Sequence, residues 1–180
     1  MNASQKIRPM LTHAGIWVRD IEAMQAFYSR VLGLEISDEG YVPRYDGRIC
    51  FLSNDPAIHH QMVLAEGRPA DAPSTINQLS FTVASLDELR EIHRRVVAEG
   101  CDHILPRNHG NAWSVYFDDL EGNNIETYLD SPFHIPQPFG EPLDFSLTND
   151  EIVAVTEEMC RATEGFAPRP DWTAERAARM

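Results

Sequence analysis

Cysteine, cationic side chains and long apolar runs are all scarce in this 180-residue chain. The three cysteines, Cys50, Cys101 and Cys160, are odd in number, far apart and in no metal or redox spacing. That argues against a disulfide framework and for a reducing compartment, with the cytoplasm as the expected location. Only 15 Lys and Arg stand against 28 Asp and Glu, and the net charge of −13 argues against nucleic acid, whose phosphates are bound by cationic side chains. No run approaches the roughly 18 apolar residues a membrane span needs, and the opening MNASQKIRPM has no apolar segment behind its charges. The length suits one domain, or two small modules sharing a core, and is enough to bury about 68–70% of the unfolded surface without staples.

Polar residues 1 to 9 read as a loose arm. Leu11 to Val18 then reads as a strand with His13, Gly15 and Trp17 on one face by two-residue alternation. Asp20 caps a helix whose Ile21, Met24, Phe27, Tyr28, Val31 and Leu32 share a stripe, and Gly33 supplies the left-handed stop. The patches LEIS, RICFLS and HHQMVLAE alternate with the turn formers DEG, YDG and NDPA, giving three more strands and a βαβββ module over 10–66. GRPADAPST is a proline-rich linker.

The order then repeats. Ile76 to Val83 is a second opening strand, with Gln78 standing 65 residues after His13. Ser85 and Glu88 form a capping box before a stripe of Leu86, Leu89, Ile92, Val96 and Val97, which Gly100 closes. CDHILP, WSVYFDD and NIETYLD supply three strands, the last two joined by LEGNN, so 76–130 is a second βαβββ module. In the extension 131–180, PFHIPQPFGEP is too proline-dense for a ladder strand. Thr148 and Glu151 cap a helix to about Cys160 whose Ile152, Val153, Val155 and Met159 dock on a module or a second subunit, and Arg169 to Met180 is expected to be only partly ordered.

The fold class is therefore α+β: two paired βαβββ modules forming one domain with a curved mixed sheet around a central cavity, plus a C-terminal helical extension. This order, with HAGIWVRD followed by FYSRVLGLE, the second opening INQLSFTVASLDEL and the closing DLEGNNIETY, resembles the vicinal oxygen chelate superfamily over residues 10 to 130. That superfamily includes extradiol ring-cleaving dioxygenases, glyoxalase I and fosfomycin-resistance and bleomycin-resistance proteins. The resemblance implies a divalent metal, Fe(II) first with Mn(II) or Zn(II) as alternatives, held by His13, Gln78 and Glu126. Imidazole, carboxylate and amide oxygen are suitable donors for such ions. A lone histidine on an apolar strand is ordinarily a core residue; the repeat and Glu126 shift His13 towards ligation. Gln78 departs from the two-histidine, one-carboxylate triad, and its neutral amide oxygen is the weaker donor.

Aligned at an offset of 64, the closing strands put Met62 opposite Glu126 and facing the cavity with His60, so that no fourth ligand is supplied. The resemblance implies His60 as acid-base, with Tyr116 and His109 orienting substrate and oxygen. Trp113, Phe117 and Met62 are expected to line an aromatic pocket. His59 is expected to be exposed, and His93, His103 and His134 carry no signal. The leading expectation is an extradiol dioxygenase cleaving a small catechol-type aromatic, with a homodimer as the assembly. The alternatives are a small-molecule binding or sequestering module that lost its metal, and a glyoxalase-type isomerase or lyase.

Overall fold

The structure, a computed structural model, describes residues 7–180. Of the arm read at 1 to 9, residues 7–9 are exposed and without regular structure, and the remainder lies outside the described residues. The chain is α+β and divides into two compact units at Ala72 and Pro73. One expected module falls in each unit, the extension goes with the second, and each unit is described by itself.

In the first unit, β1 (Ala14–Val18), β2 (Glu35–Val42), β3 (Gly47–Ser53) and β4 (Met62–Glu66) form a sheet in the order β1-β4-β3-β2, with β1 parallel to β4. The helix α1 (Ile21–Leu32) starts because Asp20 is extended and its carboxylate accepts from the Ala23 N–H at 2.9 Å. It stops at Gly33, whose φ of 66° only glycine adopts without strain. Ile21, Met24, Phe27, Tyr28 and Val31 of α1 are buried, as are Ile16, Val18, Cys50, Leu52, Met62 and Leu64 of the sheet. At about 1.5–3 kcal/mol for each large side chain, this face accounts for the unit's cohesion. The opposite face, with His13, Gly15 and Trp17, is exposed along its opening strand.

Two readings change here. The ladder begins at Ala14, paired with Met62, so His13 immediately precedes the strand instead of lying within it. DEG is not a turn but the middle of β2, where the register shifts between Ile36 and Asp38. A bulge absorbs the irregularity. The reversal falls beyond it, at Pro43 to Asp46, where Asp46 takes φ 54°.

In the second unit β5 (Leu79–Thr82), β6 (Leu105–Asn108), β7 (Ala112–Asp118) and β8 (Asn124–Asp130) repeat the plan around α2 (Leu86–Glu99). With the short β10 (Glu141–Pro142) the order is β10-β6-β7-β8-β5, and β5 is parallel to β8. Ser85 accepts from Glu88 N, but the Glu88 carboxylate accepts from Ala84 N, one residue further out than a capping box requires. Residues 76–78 and 101–104 lie outside the strands, and Val97 is 55% exposed, off the buried stripe.

The extension is more ordered than its composition suggests. Phe133–His134 (β9) pairs with Ala167–Pro168 (β11), and β10 pairs with β6, so the proline-rich stretch makes two short ladders. The helix α3 (Asn149–Arg161) carries the full Thr148/Glu151 capping box. Its anchor is polar: the buried Thr156 hydroxyl accepts from Asn108 Nδ2 at 2.8 Å and Trp113 Nε1 at 2.9 Å. Ile152 is buried, Val153 and Met159 pack on Phe133, Ile135 and Cys160, and Val155 is 51% exposed instead of docked. Arg169 to Met180, read as partly ordered, forms the helix α4 (Arg169–Arg179), with Arg169 held by Ser131 O and Asp130 at 2.7 Å each. No helix among the described residues is long and apolar enough to cross a membrane.

Candidate functional site

Strand pairing fixes how the two modules correspond. Ala14 faces Met62 in the first parallel pair and Leu79 faces Ile125 in the second. Ala14 and Leu79 are 65 residues apart, but Met62 and Ile125 are 63 apart. The residue equivalent to Glu126 is therefore Val63, and Met62 is equivalent to the core residue Ile125. A one-residue slip exchanges the two faces of a strand. Met62 is accordingly 1% exposed and packs in the core of its unit, away from the face on which it was expected.

The same alternation corrects two more expectations. On β7, Ser114 and Tyr116 share the face of Glu126, to which Tyr116 is paired directly. Trp113, Val115 and Phe117 point the other way and are buried, Trp113 with its indole N–H on Thr156. Trp113 and Phe117 are core residues, not pocket walls.

Glu126 is the centre of the second unit's open face. It is 7% exposed, and both its carboxylate oxygens are hydrogen-bonded. Oε2 accepts from Gln78 Nε2 at 2.6 Å and Ser80 Oγ at 2.7 Å, and Oε1 accepts from Ser114 Oγ at 2.8 Å. Gln78 also donates to Ser80 at 2.7 Å. Tyr116, the cross-strand neighbour of Glu126, is neutral as well; burial, then the adjacent Glu126 carboxylate, push its phenol far above the ordinary tyrosine range. Beyond it, Tyr116 OH lies 3.1 Å from His109 Nε2, and His109 Nδ1 lies 2.6 Å from Phe139 O. Gln78, Glu126, Tyr116 and His109 are thus one connected group, with Ser80 and Ser114 as members the sequence reading missed. Their signal was parity: Ser80 is two residues from Gln78, and Ser114 is two residues from Tyr116.

The first unit gathers a different group. His13 and His60 have ring centroids 4.2 Å apart, and His59 Nδ1 is 2.9 Å from His60 Nδ1. Desolvation, then the neighbouring His13 and His59, hold the His60 imidazole below its usual value. Phe51 and Val63, cross-strand partners, stand where Tyr116 and Glu126 stand in the second unit, and Ile49 corresponds to Ser114. The repeat has one polar copy of this face and one apolar copy. Among the described residues, no three His, Cys, Asp or Glu side chains are gathered in a metal-binding arrangement.

This duplicated βαβββ plan has known counterparts. A profile of the Glyoxalase/Bleomycin resistance protein/Dioxygenase superfamily matches residues 10–127. The chain belongs to that superfamily. Biphenyl-2,3-diol 1,2-dioxygenase 3 of Rhodococcus globerulus is 28% identical over 131 residues, covering 69% of this chain and 65% of the relative. Biphenyl-2,3-diol 1,2-dioxygenase 2 of the same organism is 25% identical over 128 residues, covering 68% and 64%. The chain thus matches just under two thirds of those relatives' length. The superfamily fold recurs in the fosfomycin resistance protein FosX of Listeria monocytogenes, solved with Mn(II) and sulfate, at 19% identity and TM-score 0.55 over 69% of this chain and 95% of FosX. A glyoxylase/bleomycin resistance protein/dioxygenase domain from Frankia sp. EAN1pec gives 21% identity and TM-score 0.58 over 69% and 99%.

Proposed function

We propose that this superfamily member is a metal-dependent extradiol dioxygenase acting on a small catechol-type aromatic. The observation that carries the reading is the buried Glu126 carboxylate, caged by neutral donors and connected through Tyr116 to His109. A buried carboxylate hydrogen-bonded only by neutral donors is a suitable anchor for a divalent cation.

The residues fit such an ion in donor chemistry. Glu126 offers carboxylate oxygen, and Gln78 stands beside it at 2.6 Å. Because a carboxylate only accepts, the Gln78 NH2 faces Glu126, and its Oε1 is the atom that would ligate. His13, with Thr12 Oγ1 3.1 Å from Nδ1, offers Nε2. The proposed donor set is His13, Gln78 and Glu126, with Fe(II) first and Mn(II) or Zn(II) as alternatives. A bound divalent ion would hold a substrate's adjacent oxygens and polarise them.

The chain's own groups supply the rest. His60, whose pKa is lowered by desolvation and then by the neighbouring His13 and His59, is suited to take a catechol proton. Tyr116 stays a phenol whose one hydrogen, directed to His109 Nε2 in the resting state, can turn to a developing negative charge. The similarity to the two biphenyl-diol dioxygenases supports ring cleavage over a glyoxalase-type isomerase or lyase. The assembly proposed is a homodimer.

The test is oxygen uptake with a catechol panel after anaerobic loading with Fe(II). Stoichiometric oxygen consumption, abolished in Glu126→Ala together with metal retention, is the expected result. A second reading, a metal-free sequestering module, is favoured by the Gln78 amide that already satisfies Glu126. Elemental analysis showing no retained metal, with catechols bound but not consumed, would establish it instead.

A further inference from the structure

We infer that Gln137 to Gly140, in the extension beyond the family match, position His109 by fixing which of its ring nitrogens carries the proton. His109 Nδ1 is 2.6 Å from the Phe139 carbonyl oxygen. A carbonyl only accepts, so the hydrogen is on Nδ1. In the neutral ring this leaves Nε2 as a lone pair, aimed at the Tyr116 hydroxyl 3.1 Å away. The rings meet edge-on, with centroids 5.8 Å apart and planes at 87°.

One side chain holds both ends of this contact. Gln137 Nε2 donates to the His109 carbonyl at 2.8 Å, and Gln137 Oε1 accepts from Phe139 N at 3.0 Å. Gln137 therefore clamps the backbone that carries the imidazole to the backbone that orients it. Gly140 packs beside the ring, where a Cβ would stand 3.5 Å from Nδ1.

The clamp is anchored on either side. Glu141 pairs with Asn108 and Pro142 with Arg107. At Gly110, φ is 74° and a Cβ would come within 2.5 Å of Ile135 Cδ1, so the loop that carries His109 is pressed onto the buried Ile135 and Cys160. A solvent-exposed imidazole exchanges between its two tautomers; this one is restricted to a single form. Gln137 is a positioning residue, and the extension is the device that presents Nε2 to Tyr116. The inference rests on the proposed function only for the use made of that nitrogen.

The test is nitrogen-15 NMR of the histidine-labelled full chain without added metal, with His109 assigned by its loss in His109→Asn. The expected result is a pure Nδ1–H tautomer in the natural protein and a mixture in Gln137→Ala, with the other histidine signals unmoved. A proton on Nε2 in the natural protein overturns the inference even if Gln137→Ala does not fold. So does an unmixed Nδ1–H tautomer in a folded Gln137→Ala. The measurement needs neither metal nor turnover, so it fails or succeeds separately from the oxygen-uptake test.

Discussion

Ser114 Oγ donates to Glu126 Oε1 at 2.8 Å, and Ser114 is fully buried, so this hydroxyl has no water to replace it as donor. A hydrogen bond to a charged group contributes about 1.5–3 kcal/mol. Ser114→Ala should lose that stability in a urea titration. Because it orients a proposed ligand from behind, it should also weaken divalent-metal binding by about 10- to 100-fold in calorimetry. An unchanged metal affinity would detach Ser114 from the site.

Gln78→His tests the weak donor directly. Imidazole binds borderline divalent ions better than a neutral amide oxygen, so affinity for Fe(II) or Zn(II) should rise at least about tenfold, a difference of 1.4 kcal/mol. Titration with metal ions reads this. A fall would mean that the Gln78 bonds to Ser80 and Glu126 matter more than its donor type.

Thr156→Val removes the acceptor shared by Asn108 Nδ2 and Trp113 Nε1 while keeping the volume. Each buried donor left unpaired costs about 1–3 kcal/mol, so for the two donors a loss of about 2–6 kcal/mol is expected in chemical denaturation. The near-ultraviolet signal of Trp113 should change with it. A loss under about 0.5 kcal/mol would be that of an ordinary surface change and would show that Thr156 does not anchor α3.

Acid should destabilise the fold through His93. Burial lowers its pKa, and its ring lies 5.1 Å from that of Phe145. A depressed folded value favours the neutral ring, so the stability it contributes is present above the unfolded value of about 6.5 and is lost as pH falls through the folded value. Thermal midpoints at about pH 7.5 and pH 5 should show a smaller acid-side drop in His93→Leu than in the natural protein. Equal drops would assign the acid sensitivity elsewhere.

What sequence could and could not convey divides along physical lines. Asp20, Gly33, Gly100 and the Thr148/Glu151 box act through bonds to residues three to five positions away, and the helix ends that they cap were legible from them. The repeat was legible too, because both modules place apolar residues at helical and strand periods. Register was not, since it depends on loop lengths between strands. Hence Met62 was set on the wrong face, and DEG was read as a turn when a bulge carries it along β2. Trp113 and Phe117 looked like pocket aromatics because composition does not say which parity faces the helices. The order of the extension was hidden for a similar reason: Thr156 and Arg169 find their partners 38 to 58 residues away.

The apolar copy of the repeat has a practical consequence. Gly15, Ile49, Phe51 and Val63 present short or apolar side chains where the second module presents Ser80, Ser114, Tyr116 and Glu126. The twin positions show that this scaffold tolerates a serine, a phenol and even a buried carboxylate there without losing its strands. A library built at those four positions would therefore explore new ligand chemistry on a surface whose compatibility with polar groups the other half of the molecule already demonstrates.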